Sequence, residues 1–285
     1  MGNGIAHVFA QNGFKVALVD VSRDALNAAQ KTIESNLDRL LTKEKISKET
    51  KDSTLDNIET FTELENGVKV ADLVVEAASE NESTKFDIFR SLDSLTKESC
   101  ILATNTSSIS ITKIASSTKR SDKVIGMHFM NPVPIMPLVE IIRGYSTSEE
   151  TTQTIMDISR KLEKSPVEVN DYPGFIANRI LMPMINEAVY SLYEGVAGVQ
   201  DIDDVMKLGM AHPMGPLQLA DFIGLDVCLS ILNVMNEGFR NPKYAPCPLL
   251  VNMVTSGNLG RKTGSGFYQY KKGSKELEVA ERFKK

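Results

Sequence analysis

The sequence predicts an α/β fold, a doubly wound and mainly parallel sheet followed by an all-α domain. Short apolar runs alternate with helical patterns over the first 170 residues. Strands that alternate with helices form βαβ units and therefore a parallel sheet. From Pro173-Gly174 onward the pattern is helical and no strand alternation follows. We therefore predict two domains, residues 1–170 and residues 171–285.

The predicted strands are short, continuous apolar runs, several of which end in a polar residue. Such runs are typical of strands that helices cover on both faces. After an opening helix at residues 2–12 and the turn residue Gly13, the runs are residues 15–20, 72–76, 101–105 and 124–128. Helices are predicted between them at residues 22–45, 82–95 and 111–118.

The second domain contains three helical patterns, residues 175–194, a helix that Asp201 opens, and residues 217–237. Acids at the start of a helix interact favourably with its dipole. The first and third patterns are more apolar than the core of one small domain requires, so we expect part of their surface to be buried in a homodimer. The charged stretch from Lys271 is predicted to be a solvated tail.

Composition excludes several classes of function. The net charge is −5 and the charged residues are interspersed, so no nucleic-acid partner is expected. Three cysteines without a Cys-x-x-Cys pair predict no metal site and no disulfide framework, and fit a reducing compartment. No apolar run approaches the roughly 20 residues of a membrane span, and no signal peptide is evident. We expect a soluble, cytoplasmic protein with no membrane partner.

The opening helix carries half of the dinucleotide fingerprint of a Rossmann-type fold. That fingerprint needs a strand, a Gly-x-Gly-x-x-Gly turn, a helix, and an acid about 20 residues further on. Gly2 stands at the third glycine, and Asp20 is the acid. The first strand and the first two glycines are absent, and we expect them to precede Met1 in the natural chain. Because that strand is usually central, its absence predicts unpaired edges on its two neighbours.

Asp20 bears on the choice of cofactor. A carboxylate at this position accepts the ribose hydroxyls and repels a 2′-phosphate, which favours NAD. The neighbouring Arg23 could offset that repulsion, so NADP stays open. The alternatives are a solvated strand-end carboxylate for Asp20 and a packing role for Gly2.

His128 and Glu140 are the candidate acid–base pair. Oxidation of a secondary alcohol needs a base for the hydroxyl proton, and histidine can act in both directions. Of three histidines, only His128 ends a strand of the buried type. Glu140 lies inside an apolar run, where an acid needs a buried partner, and a carboxylate fixes the tautomer of a catalytic imidazole. Without Glu140, a structural role for His128 would be favoured.

Ser107 and Asn178 are candidates for binding the substrate oxygen. Ser107 follows the predicted strand 101–105, and its alternative role is the N-cap of the helix near Ile111. Asn178 lies in the first helix of the second domain, where its amide could polarise a carbonyl. Its alternative role is to cap a neighbouring loop.

These residues together resemble the 3-hydroxyacyl-CoA dehydrogenases, most closely the bacterial 3-hydroxybutyryl-CoA dehydrogenases. The motifs are Asn-Thr-Ser-Ser at 105–108, His128-Phe-Met-Asn131-Pro, Glu140, and Pro-Gly-Phe-Ile-Ala-Asn178-Arg. The resemblance implies a dimeric, NAD-linked oxidoreductase of fatty-acid and butanoate metabolism. Its reaction would interconvert (S)-3-hydroxyacyl-CoA, with a short acyl chain such as hydroxybutyryl, and 3-oxoacyl-CoA.

The resemblance also implies roles for residues that patterns alone would place on the surface or in turns. Ser107 would contact both cofactor and substrate, and Asn178 the substrate. The other residues are Glu80, Lys85, Asn131 and Lys262 for the cofactor, and Asn36 and Lys43 for the adenine-phosphate end of CoA. Without the resemblance, the charged members are typical of solvated loops and helices, and Asn131 of a turn before Pro132.

Two other functions stay open on sequence grounds. A free hydroxy-acid dehydrogenase of the same fold, resembling gulonate dehydrogenase, would use the same acid–base pair. An inactive, crystallin-like structural protein would fit the missing part of the cofactor loop.

Overall fold

The apolar runs of the N-terminal part form the strands of two sheets. The computed structural model describes residues 1–271 and 277–284, and the chain separates into a first unit, Met1–Tyr172, and a second unit, Pro173–Lys285. The strands of the first unit are β1 (Val16–Val19), β2 (Ile58–Phe61), β3 (Leu73–Glu76), β4 (Ile101–Thr104), β5 (Val124–Phe129), β6 (Leu138–Arg143) and β7 (Ser165–Asn170). All six residues of β5 are buried, which explains why its sequence shows no polar alternation.

The sheets are mainly parallel, which confirms the predicted fold class. β1 pairs with β2 in parallel, and a five-stranded sheet has the order β3-β4-β5-β6-β7. Only the β5–β6 pair of that sheet is antiparallel. Within the described residues, β1 pairs only with β2, and β3 pairs only with β4, so each keeps one edge without a strand partner.

The helices of the first unit cover the sheets, and five of the seven begin at a polar residue whose side chain caps the helix. They are α1 (Gly2–Gln11), α2 (Arg23–Thr42), α3 (Lys48–Asp56), α4 (Leu64–Val68), α5 (Glu82–Leu95), α6 (Ile111–Ala115) and α7 (Glu149–Lys161). Ser22, Asn81 and Ser148 each accept the backbone N–H three residues on, which satisfies a donor that a helix start leaves unpaired. Ile5 and Val8 of α1 share a core cluster with Met127 of β5. α1 therefore packs against the five-stranded sheet.

The sequence prediction recorded residues 138–143 only as the apolar run around Glu140 and not as strand β6, and it missed β2 and β7. Both lie at sheet edges, and at least half of the residues of β7 are exposed. An edge strand that is only partly buried does not need the continuous apolar run that reveals β3, β4 and β5.

The second unit is helical, as predicted, with one short pair of strands added. Its elements are α8 (Ala177–Tyr193), α9 (Val199–Asp204), α10 (Pro216–Ile223), α11 (Leu225–Phe239), α12 (Pro248–Thr255), β8 (Tyr268–Gln269) and β9 (Glu278–Val279). The predicted single helix at residues 217–237 is wrong. Gly224, with φ of 104°, separates α10 from α11, and the two axes bend by 97°. Glycine adopts such a φ without steric cost.

The predicted solvated tail is wrong for the part that the structure describes. β9 pairs with β8 in antiparallel register, and Ala280 is only 1% exposed. Residues 272–276 and 285 of that stretch lie outside the described residues. No single helix of the described chain is long and apolar enough to cross a membrane, although the bent pair α10 and α11 meets the length and composition criteria together.

Two buried carboxylates hold the second unit together. Asp203 accepts the N–H groups of Leu217 and Gln218 at the start of α10 and the Tyr268 hydroxyl. Asp221 accepts the N–H groups of Phe267 and Tyr268. Burial raises the pKa of Asp221 to about 6 although these donors favour its ionised form. The two acids thus connect α9 and α10 to the C-terminal strand segment.

Glycine gives the backbone room to approach Asp221. A Cβ on Gly266 would lie 1.9 Å from Asp221 Oδ1, whereas a Cβ on Gly209 would meet nothing within 4 Å. Neither residue has a positive φ, so a difference in stability between alanine variants at the two positions reports steric crowding and not backbone strain.

We predict that Gly266→Ala lowers the free energy of unfolding by about 1–3 kcal/mol, because overpacking displaces a buried hydrogen-bonded carboxylate. The control Gly209→Ala should leave it unchanged or raise it by up to about 1 kcal/mol. Urea unfolding followed by far-ultraviolet circular dichroism measures both, since the chain has no Trp. Equal unfolding midpoints for the two variants would contradict the role given to Asp221.

Candidate active site

The site lies at the carboxyl edge of the five-stranded sheet. β3, β4 and β5 are parallel neighbours, so the residues at their C-terminal ends meet at one edge. Asn105, directly after β4, links the C-terminal ends of β3, β4 and β5 by hydrogen bonds. Its backbone N–H donates to the Glu76 carbonyl at 2.7 Å, and its side-chain oxygen accepts the Phe129 N–H at 2.9 Å.

His128 and Glu140 meet because β5 and β6 are antiparallel. They are directly paired in the register, which places both side chains on the same face of the sheet. His128 Nδ1 lies 2.8 Å from Glu140 Oε2, and the two residues are 7% and 0% exposed. An ionised carboxylate only accepts hydrogen bonds, so this contact favours a proton on Nδ1 and leaves Nε2 as the acceptor nitrogen of the neutral ring.

Ser107 completes a linear cluster with this pair. Its Oγ lies 3.1 Å from His128 Nε2. A hydroxyl, an imidazole and a buried carboxylate in this order have the geometry of a proton-transfer relay. The alternative role of Ser107 as the N-cap of α6 is wrong, because Ser110 accepts the Lys113 N–H there.

Glu80 contacts the Ser107 loop. Its Oε1 accepts the Ser107 and Ser108 N–H groups at 2.8 and 3.0 Å and the Thr106 hydroxyl at 2.6 Å. Burial alone would raise the pKa of Glu80, but these hydrogen bonds and the charge of Lys85 hold it below its usual value. Glu80 is therefore held as an anion beside the loop.

Lys85 is buried. The alternative interpretation of this residue as a solvated surface charge is therefore wrong. It is 1% exposed, and its Nζ donates to both oxygens of Glu76, at 2.8 and 2.9 Å. Glu80 Oε2 lies 3.6 Å from the same Nζ. A buried cation needs paired, hydrogen-bonded anions, and Lys85 has two.

Sequence reasoning missed Glu76, Thr104 and Thr106, which extend this network. The Thr104 hydroxyl donates to Glu76 Oε2 at 2.7 Å. An acid at the end of an apolar run was the available signal for Glu76, as it was for Glu140. No comparable signal marks the threonines.

The predicted cofactor residues at the N terminus lie at the start of α1 and the end of β1. Gly2 is the first residue of α1, whose N terminus has no side-chain cap and no acid in its first turn. Such a helix end suits an anion. Asp20 is exposed directly after β1, and its Oδ1 accepts the Ser22 N–H at 2.9 Å. Arg23 lies in the first turn of α2 and donates to Thr60.

Three further predicted residues of the first unit lie outside the His128 cluster. Asn36 lies on α2, and its side-chain oxygen accepts from Arg39. Lys43 is exposed directly after α2. Asn131 is exposed and directly precedes the turn in which the Ile135 and Met136 N–H groups donate to the Pro132 carbonyl.

Two predicted residues belong to the second unit. Asn178 is the second residue of α8 and is 9% exposed. Lys262 lies in the turn after α12, and its side chain, 45% exposed, forms an ion pair with Asp226. Their roles toward cofactor and substrate stay predictions.

Comparison with known proteins agrees with this geometry. The sequence model of the 3-hydroxyacyl-CoA dehydrogenase NAD binding domain matches residues 1–172, and that of the C-terminal domain matches residues 174–270. A probable 3-hydroxybutyryl-CoA dehydrogenase of Bacillus subtilis (strain 168) is 52% identical over 95% of this chain and 94% of its own length. Human mitochondrial hydroxyacyl-coenzyme A dehydrogenase is 44% identical over 95% of this chain and 88% of its own length.

A solved structure gives the same result. The crystal structure of (S)-3-hydroxybutyryl-CoA dehydrogenase PaaH1 from Ralstonia eutropha superposes with a TM-score of 0.93 and 49% identity over 95% of both chains. Fold and site together define a nicotinamide-dependent dehydrogenase with a Rossmann-type domain and a helical C-terminal domain. More particularly, the chain belongs to the 3-hydroxyacyl-CoA dehydrogenase family.

Proposed function

We propose that this protein interconverts (S)-3-hydroxyacyl-CoA, in particular 3-hydroxybutyryl-CoA, and 3-oxoacyl-CoA with NAD as the hydride carrier. The observation that supports this most is the hydrogen-bonded order Ser107, His128, Glu140 at the carboxyl edge of the sheet. Residues 1–170 would bind the dinucleotide, and residues 171–285 would bind substrate and form the dimer.

His128 is the general base in the oxidative direction. Its Nε2 takes the hydroxyl proton of the substrate as the hydride leaves the same carbon, and in reduction it returns that proton to the oxygen. Glu140 accepts the Nδ1–H and stabilises the imidazolium that forms. Ser107 and Asn178 hydrogen-bond to the substrate oxygen and orient it. NAD, when bound, supplies the carbon that accepts the hydride.

The chain's own residues fit a dinucleotide. The uncapped start of α1 at Gly2 suits a pyrophosphate, and the exposed Asp20 suits the ribose hydroxyls of NAD more than a 2′-phosphate. Glu80, Lys85, Asn131 and Lys262 complete the proposed cofactor site. The choice of NAD over NADP rests on Asp20.

The CoA moiety of the substrate is assigned to α2. Asn36 accepts a hydrogen bond from Arg39 on this helix, and Lys43 is its C-cap residue. Cations there would bind the phosphates of CoA. A cytoplasmic location and a role in fatty-acid and butanoate metabolism are part of the same proposal.

Substrate and cofactor selectivity test this proposal. We expect the protein to reduce acetoacetyl-CoA with NADH at least about 100-fold more efficiently, in kcat/KM, than free acetoacetate, and to prefer NADH over NADPH about 10-fold or more.

His128→Ala should lower kcat by a factor of order 10² to 10⁴, which shows that the activity comes from this site. Comparable turnover of acetoacetate would favour the free hydroxy-acid dehydrogenase. No NADH oxidation with either compound would favour an inactive structural protein.

The dimer is proposed on α8, α10 and α11. These helices expose Ile180 by 65%, Phe222 by 51% and Val227 by 40%, and exposed apolar groups of this kind are typical of protein interfaces.

Sedimentation velocity at micromolar concentration should therefore show a dimer or an assembly of dimers. Ile180→Asp should shift the equilibrium toward monomer, because it places a charge in the apolar interface. The control Tyr145→Asp changes a 92% exposed apolar residue of the first unit and should leave the assembly unchanged. A monomeric wild-type protein would refute the interface.

A further inference from the structure

One carboxylate oxygen holds the loop that carries Ser107. Glu80 Oε1 accepts from Thr106 Oγ1, the Ser107 N–H, the Ser108 N–H and Ser108 Oγ, at 2.6 to 3.0 Å. These four donors belong to three consecutive residues. A single anion thus fixes the backbone on both sides of Ser107.

Thr106 links Glu80 to the rest of the loop. Its hydroxyl donates to Glu80 and accepts the Ser108 and Ile109 N–H groups at 3.3 and 3.0 Å. Thr106 is 0% exposed. It therefore acts on Ser107 through its neighbours and not through the substrate.

A buried ion network holds Glu80 from the opposite side. Lys85 lies 3.6 Å from Glu80 Oε2 and donates to both oxygens of Glu76. Glu76 also accepts the Ala78 N–H at 2.6 Å and the Thr104 hydroxyl, and Thr104 Oγ1 accepts the Thr106 N–H at 3.2 Å. These contacts form a closed ring, because the first is made by the Thr106 hydroxyl and the last by the Thr106 N–H.

We propose that Thr106 and Glu80 are positioning residues for the reaction, which hold Ser107 Oγ within hydrogen-bond distance of His128 Nε2. The inference rests on the proposed function. Glu80 Oε1 accepts all four hydrogen bonds from the loop, so Oε2 would make the proposed contact with the cofactor. Lys85 and Glu76 fix the orientation of that carboxylate, and so the position of the Ser107 backbone, from which Oγ projects, depends on groups that never touch the substrate.

A double-mutant cycle tests this role. Thr106→Val keeps the shape of the side chain and removes the hydroxyl, and Thr106→Ser retains it as the matched control. We expect Thr106→Val to lower kcat for acetoacetyl-CoA reduction about 10-fold, because small displacements of a catalytic group are costly. Thr106→Ser should stay within about twofold of wild type, and the NADH dissociation constant should stay within about twofold in both.

The background Ser107→Ala separates positioning from a general structural role. There, Thr106→Val should cost less than about twofold in kcat, since the group that it positions is gone. An additive 10-fold loss in that background would overturn the inference, and so would an unchanged kcat in Thr106→Val with active wild type. If the wild-type protein does not reduce acetoacetyl-CoA with NADH, the proposed function fails and this inference with it.

Ser108→Ala covers the case in which Thr106→Val does not fold. It removes one of the four donors to Glu80 Oε1 and keeps the backbone N–H. We expect a two- to fivefold loss of kcat that disappears in the Ser107→Ala background. Persistence of that loss in the double variant would overturn the inference.

Discussion

The antiparallel pairing of β5 with β6 is the constraint on which the site depends. Every other pair in the five-stranded sheet is parallel, and this one reversal sets His128 opposite Glu140. A shift of one residue in the register would direct the Glu140 side chain to the other face of the sheet. Both strands are almost fully buried, so such a shift would also disrupt the packing of side chains on both faces of the sheet. The fold thereby fixes the orientation of the imidazole, and the contact with Glu140 favours the tautomer whose proton is on Nδ1.

Buried acids with a full set of donors recur in both units. In the first unit Glu140 pairs with His128 and Glu76 pairs with Lys85, and in the second unit Asp203 and Asp221 accept from backbone N–H and tyrosine hydroxyl groups. An unpaired buried carboxylate costs several kcal/mol, and its partners lower that cost by holding the ionised form. Asp203 and Asp221 connect helices to a C-terminal strand segment, whereas Glu140 and Glu76 orient residues of the candidate active site. The same kind of buried, hydrogen-bonded acid therefore stabilises the fold of one unit and, in the function that we propose, supports catalysis in the other.

Much of this was predictable from sequence, because burial leaves a pattern. Continuous apolar runs revealed β3, β4 and β5, and an acid inside such a run revealed Glu140. Other features left no pattern. Lys85 looks like any helix-surface cation, and its burial depends on Glu76, nine residues earlier on another element. The role of Thr106 depends on a hydrogen bond to Glu80, 26 residues away, and the break at Gly224 on a backbone angle. These features arise from tertiary contacts, which single-residue preferences do not encode.

The position of the proton on the neutral His128 ring is the most direct test of the proposed acid–base pair. Nitrogen-15 NMR of protein labelled at histidine resolves Nδ1 from Nε2, and the chain has only three histidines, so loss of one signal set in His128→Asn assigns the ring. In the neutral ring we predict that the proton is on Nδ1, in the hydrogen bond to Glu140, and that Nε2 is not protonated. The Glu140→Gln variant should weaken that preference. A neutral ring with its proton on Nε2 in the wild-type protein would contradict the assignment of His128 as the base.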